Sequence, residues 1–436
     1  MTQKIWRVLY TWILLPFLLA GLRLYGLKDQ KVKDSLEGRR GLWRRLDDQI
    51  VKRNLHQPLL WFHVASVGEF LQAEPVIERC LQADFDCALT LSSVSGYKWA
   101  KRSQFTEGRQ LVVIEYLPFD FPVNIRRMLA ILQPATMVYA KFDLWPNLIW
   151  QAHGAAIPQF LISATLQPRS LRVTSMLGRS FYGTIYACLE GILAVSEEDA
   201  QRFRITNPDH ANIQITGDTR FDSVLDRRQR LSPPKLPAYI PNRFVFIVGS
   251  SWPRDEGCIF PALAEALQQF PDLLVIIAPH EPTEAHLNNS ETFFQHFTMK
   301  RWSQLEENPD VPPQVILVDT VGVLSSLYTI GNLAYVGGSF TTGVHNVMEP
   351  CVMGMPVIFG PVHYNSPEAV ELLEKGFAFT VKQPEEFHEL LFRLLQDPPY
   401  CARLGKEAVK TIESQGGAAE KCFQLIKKRC NEISLP

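Results

Sequence analysis

A chain of 436 residues with 46% hydrophobic content is long enough for two cores, because single cores stop growing near about 250–300 residues. A formal net charge of −1 leaves no electrostatic footprint for nucleic acid, so no nucleic-acid partner is expected. The cysteines, Cys80, Cys87, Cys188, Cys258, Cys351, Cys401, Cys422 and Cys430, form neither a zinc-type spacing nor a close-spaced disulfide framework. They read as buried or free thiols of a reducing compartment, with no metal site.

The N-terminus differs from everything after it. Between Arg7 and Arg23 lie 15 uncharged residues, VLYTWILLPFLLAGL, short of the roughly 20 that a spanning helix needs. Residues 1–53 carry 12 Lys/Arg against 5 Asp/Glu, a balance suited to an anionic cytoplasmic membrane face, and Tyr10, Trp12 and Tyr25 suit an interfacial position. Residues 1–53 are therefore expected to form a retained membrane anchor with a basic flank rather than a removed signal peptide. A buried first helix of a soluble protein is the alternative.

From Leu59 onward, β-prone runs alternate with helix-compatible segments. The first half offers Leu59–Ser66, Ala88–Ser95, Leu111–Pro118, Thr136–Asp143, Ile157–Ala164, Gly191–Ser196 and Ile213–Asp218. This is the pattern of βα units on a parallel sheet, and it predicts a first domain over 54–225. A polar, proline-bearing stretch, DRRQRLSPPKLPAYIPNR, predicts a linker over 226–242. The pattern restarts with Phe244–Ser251, Leu273–His280, Val315–Gly322, Leu333–Ser339 and Pro356–Pro361, which predicts a second domain over 243–436. Neither G-x-G-x-x-G nor G-x-x-x-x-G-K-[ST] occurs early in either half, against a dehydrogenase or a P-loop NTPase.

Two stretches carry chemistry. In GGSFTTGVHNVMEP, Gly337–Pro350, glycines after an apolar run predict a strand, a turn with free backbone N–H groups and a helix start, with His345, Asn346 and Glu349 at the same mouth. A glycine turn that merely closes a βα unit is the bland reading. In HVASVGEF, His63–Phe70, Glu69 falls on a strand-to-helix turn, where a carboxylate can take a proton from a hydroxyl or serve only as part of a helix cap.

HVASVGE, DLWPN (Asp143–Asn147), TGDTRFD (Thr216–Asp222), APH (Ala278–His280) and GGSFTTGVHNVMEP, in this order, resemble the 3-deoxy-D-manno-octulosonic acid (Kdo) transferases over nearly the whole chain. The resemblance implies an α/β protein of the GT-B type, two Rossmann-like domains facing across a cleft with an N-terminal membrane-associated helix. It implies transfer of Kdo from CMP-Kdo to a lipid A precursor in lipopolysaccharide synthesis, without metal or cofactor, at the cytoplasmic side of the inner membrane. By the same resemblance, Glu69 is the general base and Arg220, where the family usually has lysine, stabilises the transition state. Donor contacts fall on Pro279, His280, Val321, Gly322, Val323, Asn346, Val347, Met348 and Glu349. The sequence departs from the family pattern at Lys141 and Val323, where glutamate is common, and at His280, where arginine is common. These departures leave the roles of Lys141 and the neighbouring Asp143 open. A catalytically impaired GT-B protein that binds nucleotide sugar or lipid as a scaffold, or a transferase of another nucleotide sugar, is the alternative.

Overall fold

The apolar runs become strands because their side chains are buried on both faces, as a parallel sheet covered by helices demands. The computed structural model describes all residues except 1–2, 52, 54–55, 103–110, 142, 208–211, 235–236, 238–239, 241–242, 307–310 and 435–436. The chain divides into two units, Met1–Ser223 with Gln415–Pro436, and Val224–Ser414.

In the first unit, β1 (Leu59–Val64), β2 (Asp86–Leu91), β3 (Val113–Tyr116), β4 (Thr136–Ala140), β5 (Gln159–Ala164), β6 (Gly191–Ala194) and β7 (Ile213–Ile215) form one parallel sheet. Its order is β3-β2-β1-β4-β5-β6-β7. Trp61, Tyr139 and Leu161 pack into the core on one face, and Leu60, Phe62 and Val64 into the core on the other, the period-2 alternation of a strand.

The second unit repeats the plan with β8 (Phe244–Ser251), β9 (Leu273–Pro279), β10 (Met299–Arg301), β11 (Val315–Leu317), β12 (Leu333–Val336), β13 (Val357–Phe359) and β14 (Ala378–Thr380). The order is β10-β11-β9-β8-β12-β13-β14, again all parallel. In each sheet the winding reverses, once between β1 and β4 and once between β8 and β12. At such a switch point the loops leaving the two strands splay apart and leave a crevice beyond their carboxyl ends.

Three sequence expectations meet a different arrangement. The expected second domain ran to residue 436, yet helix Ala418–Ser434 packs on helix Val67–Gln82 of the first unit. Its apolar stripe of Ala419, Cys422, Phe423, Ile426 and Cys430 joins the core under β1. The expected linker begins inside a continuous helix, Thr219–Arg230. Several of its later residues (235–236, 238–239, 241–242) lie outside the described part.

The expected anchor and flank, 1–53, are joined to the first unit. Helix Gln3–Tyr25, with a mean hydropathy of 1.7, is long and apolar enough to cross a membrane. One side, however, is committed to protein: Tyr10, Leu15 and Leu19 enter the core, Tyr10 donates to Asp120 (3.0 Å) and Thr11 to Asn147 (3.0 Å). The other side presents Trp12 and Phe17, 73% and 75% exposed. In the basic flank, Arg45 holds the fully buried Glu115 through two bonds of 2.8 and 2.7 Å. All eight cysteines are free and buried, as their spacing implied.

Candidate active site

The turn after β1 sits at the first switch point. Ser66 caps helix Val67–Gln82 by accepting from the Glu69 N–H, and the Glu69 carboxylate reaches back to accept from the Ala65 N–H. Glu69 thus does serve its helix start, one residue outside a standard capping box. Its environment does more. Burial pushes the carboxyl above its ordinary value and the nearby Asp143 carboxylate adds to the rise, while the Ala65 N–H, His63 and Lys141 oppose it.

Asp143, in the loop after β4 on the other side of the switch point, is the hub of this corner. One of its oxygens, Oδ2, accepts from His63 Nε2 (3.0 Å), Ser92 Oγ (3.2 Å) and Trp145 Nε1 (3.2 Å). Burial alone would raise its pKa, but these donors outweigh burial and hold it below the ordinary carboxylate range. The other ring nitrogen of His63, fully buried, lies 3.1 Å from the Thr90 carbonyl and 3.0 Å from Thr90 Oγ1. With Nδ1 accepting from the Thr90 hydroxyl, Nε2–H is left to donate to Asp143. Lys141 directly follows β4 with φ +62°, a left-handed conformation uncommon for lysine, and its N–H bonds to Ile162 O (2.9 Å).

Arg220 lies at the start of helix Thr219–Arg230, tied to Asp218 by its backbone N–H (2.9 Å) and by Nε (2.8 Å). Gln72, one turn beyond Glu69, donates to Asp218 (3.2 Å), and its carbonyl accepts from Thr219 Oγ1 (2.6 Å). The TGDTR turn is therefore fastened to the helix that carries Glu69. Glu69, Asp143, Lys141 and Arg220 all belong to the first unit, Glu69 sharing an electrostatic neighbourhood with Asp143 and Lys141.

The second unit gathers the rest. After β12 the chain turns so closely past β8 that a Cβ on Gly337 would stand 2.3 Å from the Ser250 carbonyl oxygen, and Gly338 adopts φ +90°. Asp255 fixes this crossing: it accepts from the backbone N–H of Trp252 (3.0 Å) and Gly338 (2.9 Å) and from the Tyr335 hydroxyl (2.9 Å). His280, just past Pro279 at the end of β9, stacks between Trp252 (4.8 Å) and His345 (4.4 Å). The helix after the glycine turn is only five residues long, Met348–Val352.

Glu349 in its first turn is held from three sides, by Asn346 Nδ2 (3.2 Å), Ser325 Oγ (2.9 Å) and Arg227 (3.8 Å). Asn346 in turn accepts from the Met348 N–H (3.0 Å). Ser325 belongs to the short helix Leu324–Leu327 that follows Val321, Gly322 and Val323, so the two donor segments named from sequence are linked. Val321 is 85% exposed and Gly322 has φ +96°.

Residues 35–223 match the family model described as 3-deoxy-D-manno-octulosonic-acid transferase (kdotransferase), and residues 300–411 match glycosyl transferases group 1. The chain is a glycosyltransferase, and it is similar to the Kdo transferases. It is 27% identical over 429 residues to the 3-deoxy-D-manno-octulosonic acid transferase of Haemophilus influenzae, covering 97% of this chain and 98% of that one. Among solved structures it is similar to UDP-GlcNAc 2-epimerase from Neisseria meningitidis (14% identity, TM-score 0.58, 85% and 100% covered). It is also similar to Acinetobacter baumannii MurG (13% identity, TM-score 0.50, 85% and 99% covered). These structural likenesses, with two parallel seven-stranded sheets, make the fold GT-B.

The geometry adds residues that the motifs alone did not single out. His63 and Gln72 sit inside or one turn beyond the motif of this Kdo transferase-like turn, yet their partners lie 80 and 146 positions away. Asp255 had a local signal, four residues after the end of β8 in the first turn of a helix. Ser325 had none.

Proposed function

We propose that this glycosyltransferase moves Kdo from CMP-Kdo to a hydroxyl of a lipid A precursor, with Glu69 as the general base. The observation that supports this most is the buried carboxylate of Glu69 at the first switch point, raised in pKa by burial and by Asp143. A base poised above the ordinary carboxylate range takes a proton more readily near neutral pH. Glu69 accepts the acceptor's hydroxyl proton, the oxygen attacks the anomeric carbon of Kdo, and the bond to the CMP phosphate oxygen breaks with its electron pair leaving on CMP. Arg220, steadied by Asp218, supplies positive charge toward that transition state. Its guanidinium keeps the charge of the family's lysine with a wider, flatter donor fork.

Donor recognition is assigned to Pro279, His280, Val321, Gly322, Val323, Asn346, Val347, Met348 and Glu349, with Glu349 facing a ribose hydroxyl. The exposed apolar side of helix Gln3–Tyr25 and the basic flank support a location at the cytoplasmic surface of the inner membrane. With one side docked on protein, the helix is suited to lying in the interface.

The test is Glu69→Gln, which keeps an acceptor for the Ala65 N–H but cannot take the proton. Single-turnover transfer from CMP-Kdo should fall roughly 10²- to 10⁴-fold with unchanged melting and unchanged CMP affinity. A stable variant with near-normal turnover reduces Glu69 to a cap.

A further inference from the structure

Beyond the motif residues, the first unit holds a cavity of about 910 Å³ between the N-terminal helix and the carboxyl ends of its strands. Its walls are mainly apolar, Leu15, Leu18 and Leu22 from helix Gln3–Tyr25, Val32 and Leu36 from the flank, and Phe119 from the loop after β3, with Asp34, Asp120 and serines among the polar lining. Its floor is Ala65 and Ser66, the turn that bonds and caps Glu69. A second cavity of about 460 Å³ shares Leu36, Arg39 and Phe119 with the first and adds Arg23 and Arg40, both exposed. Lys31 and Lys98, also exposed, stand on the rim of the larger one. The arrangement is an apolar chamber with a cationic mouth, and its volume is in the range of sites that enclose a small-molecule ligand.

From this juxtaposition we propose that the chamber holds an acyl chain of the glycolipid acceptor while Arg23, Arg40 and the rim lysines meet its anionic head. The proposal rests on the acceptor reading above and deepens it. The occupant is the acceptor rather than a bystander lipid because the floor of the chamber is the same turn that positions the base. An acyl chain seated there brings the head of its own molecule to the neighbourhood of Glu69. Seating the chain also spends its apolar burial on orientation, which a soluble sugar cannot do.

The chamber's walls are partly open, so it can be filled without touching the core. Leu18 is 46% exposed and Val94, at the start of helix Val94–Arg102, is half-buried. Leu18→Trp and Val94→Trp each push an indole into the space. The full-length enzyme is assayed with CMP-Kdo against two acceptors, an acylated glucosamine disaccharide bisphosphate and its fully deacylated counterpart. With the acylated acceptor, KM should rise roughly tenfold for every two methylenes kept out of the chamber. With the deacylated acceptor, kinetics should match the wild type. Equal losses on both acceptors, or none on either, overturn the proposal.

A second measurement does not depend on transfer. An acylated disaccharide bisphosphate bearing a diazirine on one chain is photolysed with wild-type protein, and the labelled peptides are sequenced. Label within residues 15–36 or 92–98, competed by unlabelled acceptor but not by plain phospholipid, supports the assignment. Label elsewhere overturns it, and label competed equally by phospholipid makes the chamber a general lipid slot and overturns the acceptor assignment. Should the wild type transfer Kdo to neither acceptor, the Kdo reading fails while the labelling still decides the chamber.

Discussion

Replacing Asp143 by asparagine removes a charge from the hub of the first switch point and almost nothing else. All three donors, His63, Ser92 and Trp145, converge on one oxygen, Oδ2, which an asparagine carbonyl can replace in position. Each hydrogen bond to a charged acceptor, about 1.5–3 kcal/mol, then becomes a neutral one of about 0.5–1.5 kcal/mol. Three such changes sum to about 3–4.5 kcal/mol, and relief of the charge's own burial lowers the expected loss to about 1–3 kcal/mol. In a unit of this size that is roughly 2–4 °C of melting temperature per kcal/mol. Asp143→Ala should cost more, because the fully buried His63 ring would keep a nitrogen with no partner. The same charge is one of the causes that raise the Glu69 carboxyl above 4.5. A base must be ionised to act, so the rate climbs with pH through the Glu69 pKa, and removing a neighbouring negative charge lowers that pKa. The acid limb of kcat/KM for Asp143→Asn should move to lower pH. Thermal melts and a pH–rate profile of wild type and variant test both halves. An acid limb that stays in place, or moves upward, would refute the electrostatic coupling between Asp143 and Glu69.

Two further outcomes follow from the second unit and from the N-terminal helix. Glu349→Ala should weaken CMP binding by about 1.5–3 kcal/mol, roughly ten- to a hundredfold, because a ribose hydroxyl would lose a charged acceptor; calorimetry that shows unchanged affinity removes Glu349 from the site. Trp12→Ser with Phe17→Ser should weaken sedimentation with anionic vesicles at unchanged melting temperature, since both side chains are exposed, and undiminished sedimentation would refute the in-plane reading.

Deleting the N-terminal helix outright is the wrong experiment, and the reason lies in what a sequence conceals. Its apolar run reads as a separable anchor, but Tyr10, Leu15 and Leu19 are core residues and Tyr10 and Thr11 bond to residues more than 100 positions away. Twelve strands were legible, most because their apolar runs are buried on both faces, and β7, a three-residue edge strand with an exposed end, because it still reads IQI. The two that were not, β10 and β14, are three-residue edge strands, one of them reading MKR. An edge strand pairs on one side only and needs no continuous apolar run. The last helix shows the same limit: its stripe of Ala419, Cys422, Phe423 and Ile426 announces a buried face without saying which sheet it covers. At the site, the motifs carried Glu69, Arg220, Asn346 and Glu349. Their supports, His63, Gln72, Asp255 and Ser325, are fixed by tertiary contacts for which adjacent residues give little warning.

Those supports explain why two glutamates near helix starts suit different tasks. Glu69 accepts one backbone N–H, lies buried, and feels the negative charge of Asp143, which together favour its protonated form more than water would. Glu349 has its two oxygens claimed by an amide, a hydroxyl and a guanidinium, a set that can only donate to it. A carboxylate surrounded by donors is a fixed acceptor, fit to hold a hydroxyl in place. A carboxylate with few donors and a like charge beside it readily exchanges a proton. Environments that differ in this way divide acid–base work from binding work between residues of the same type. The two turns stand on opposite sides of the reversals in their sheets, Glu69 following β1 and Glu349 following β12. What stands around each, the Asp143 charge beside Glu69 or Asn346 and Ser325 donating to Glu349, is what sets the two environments apart.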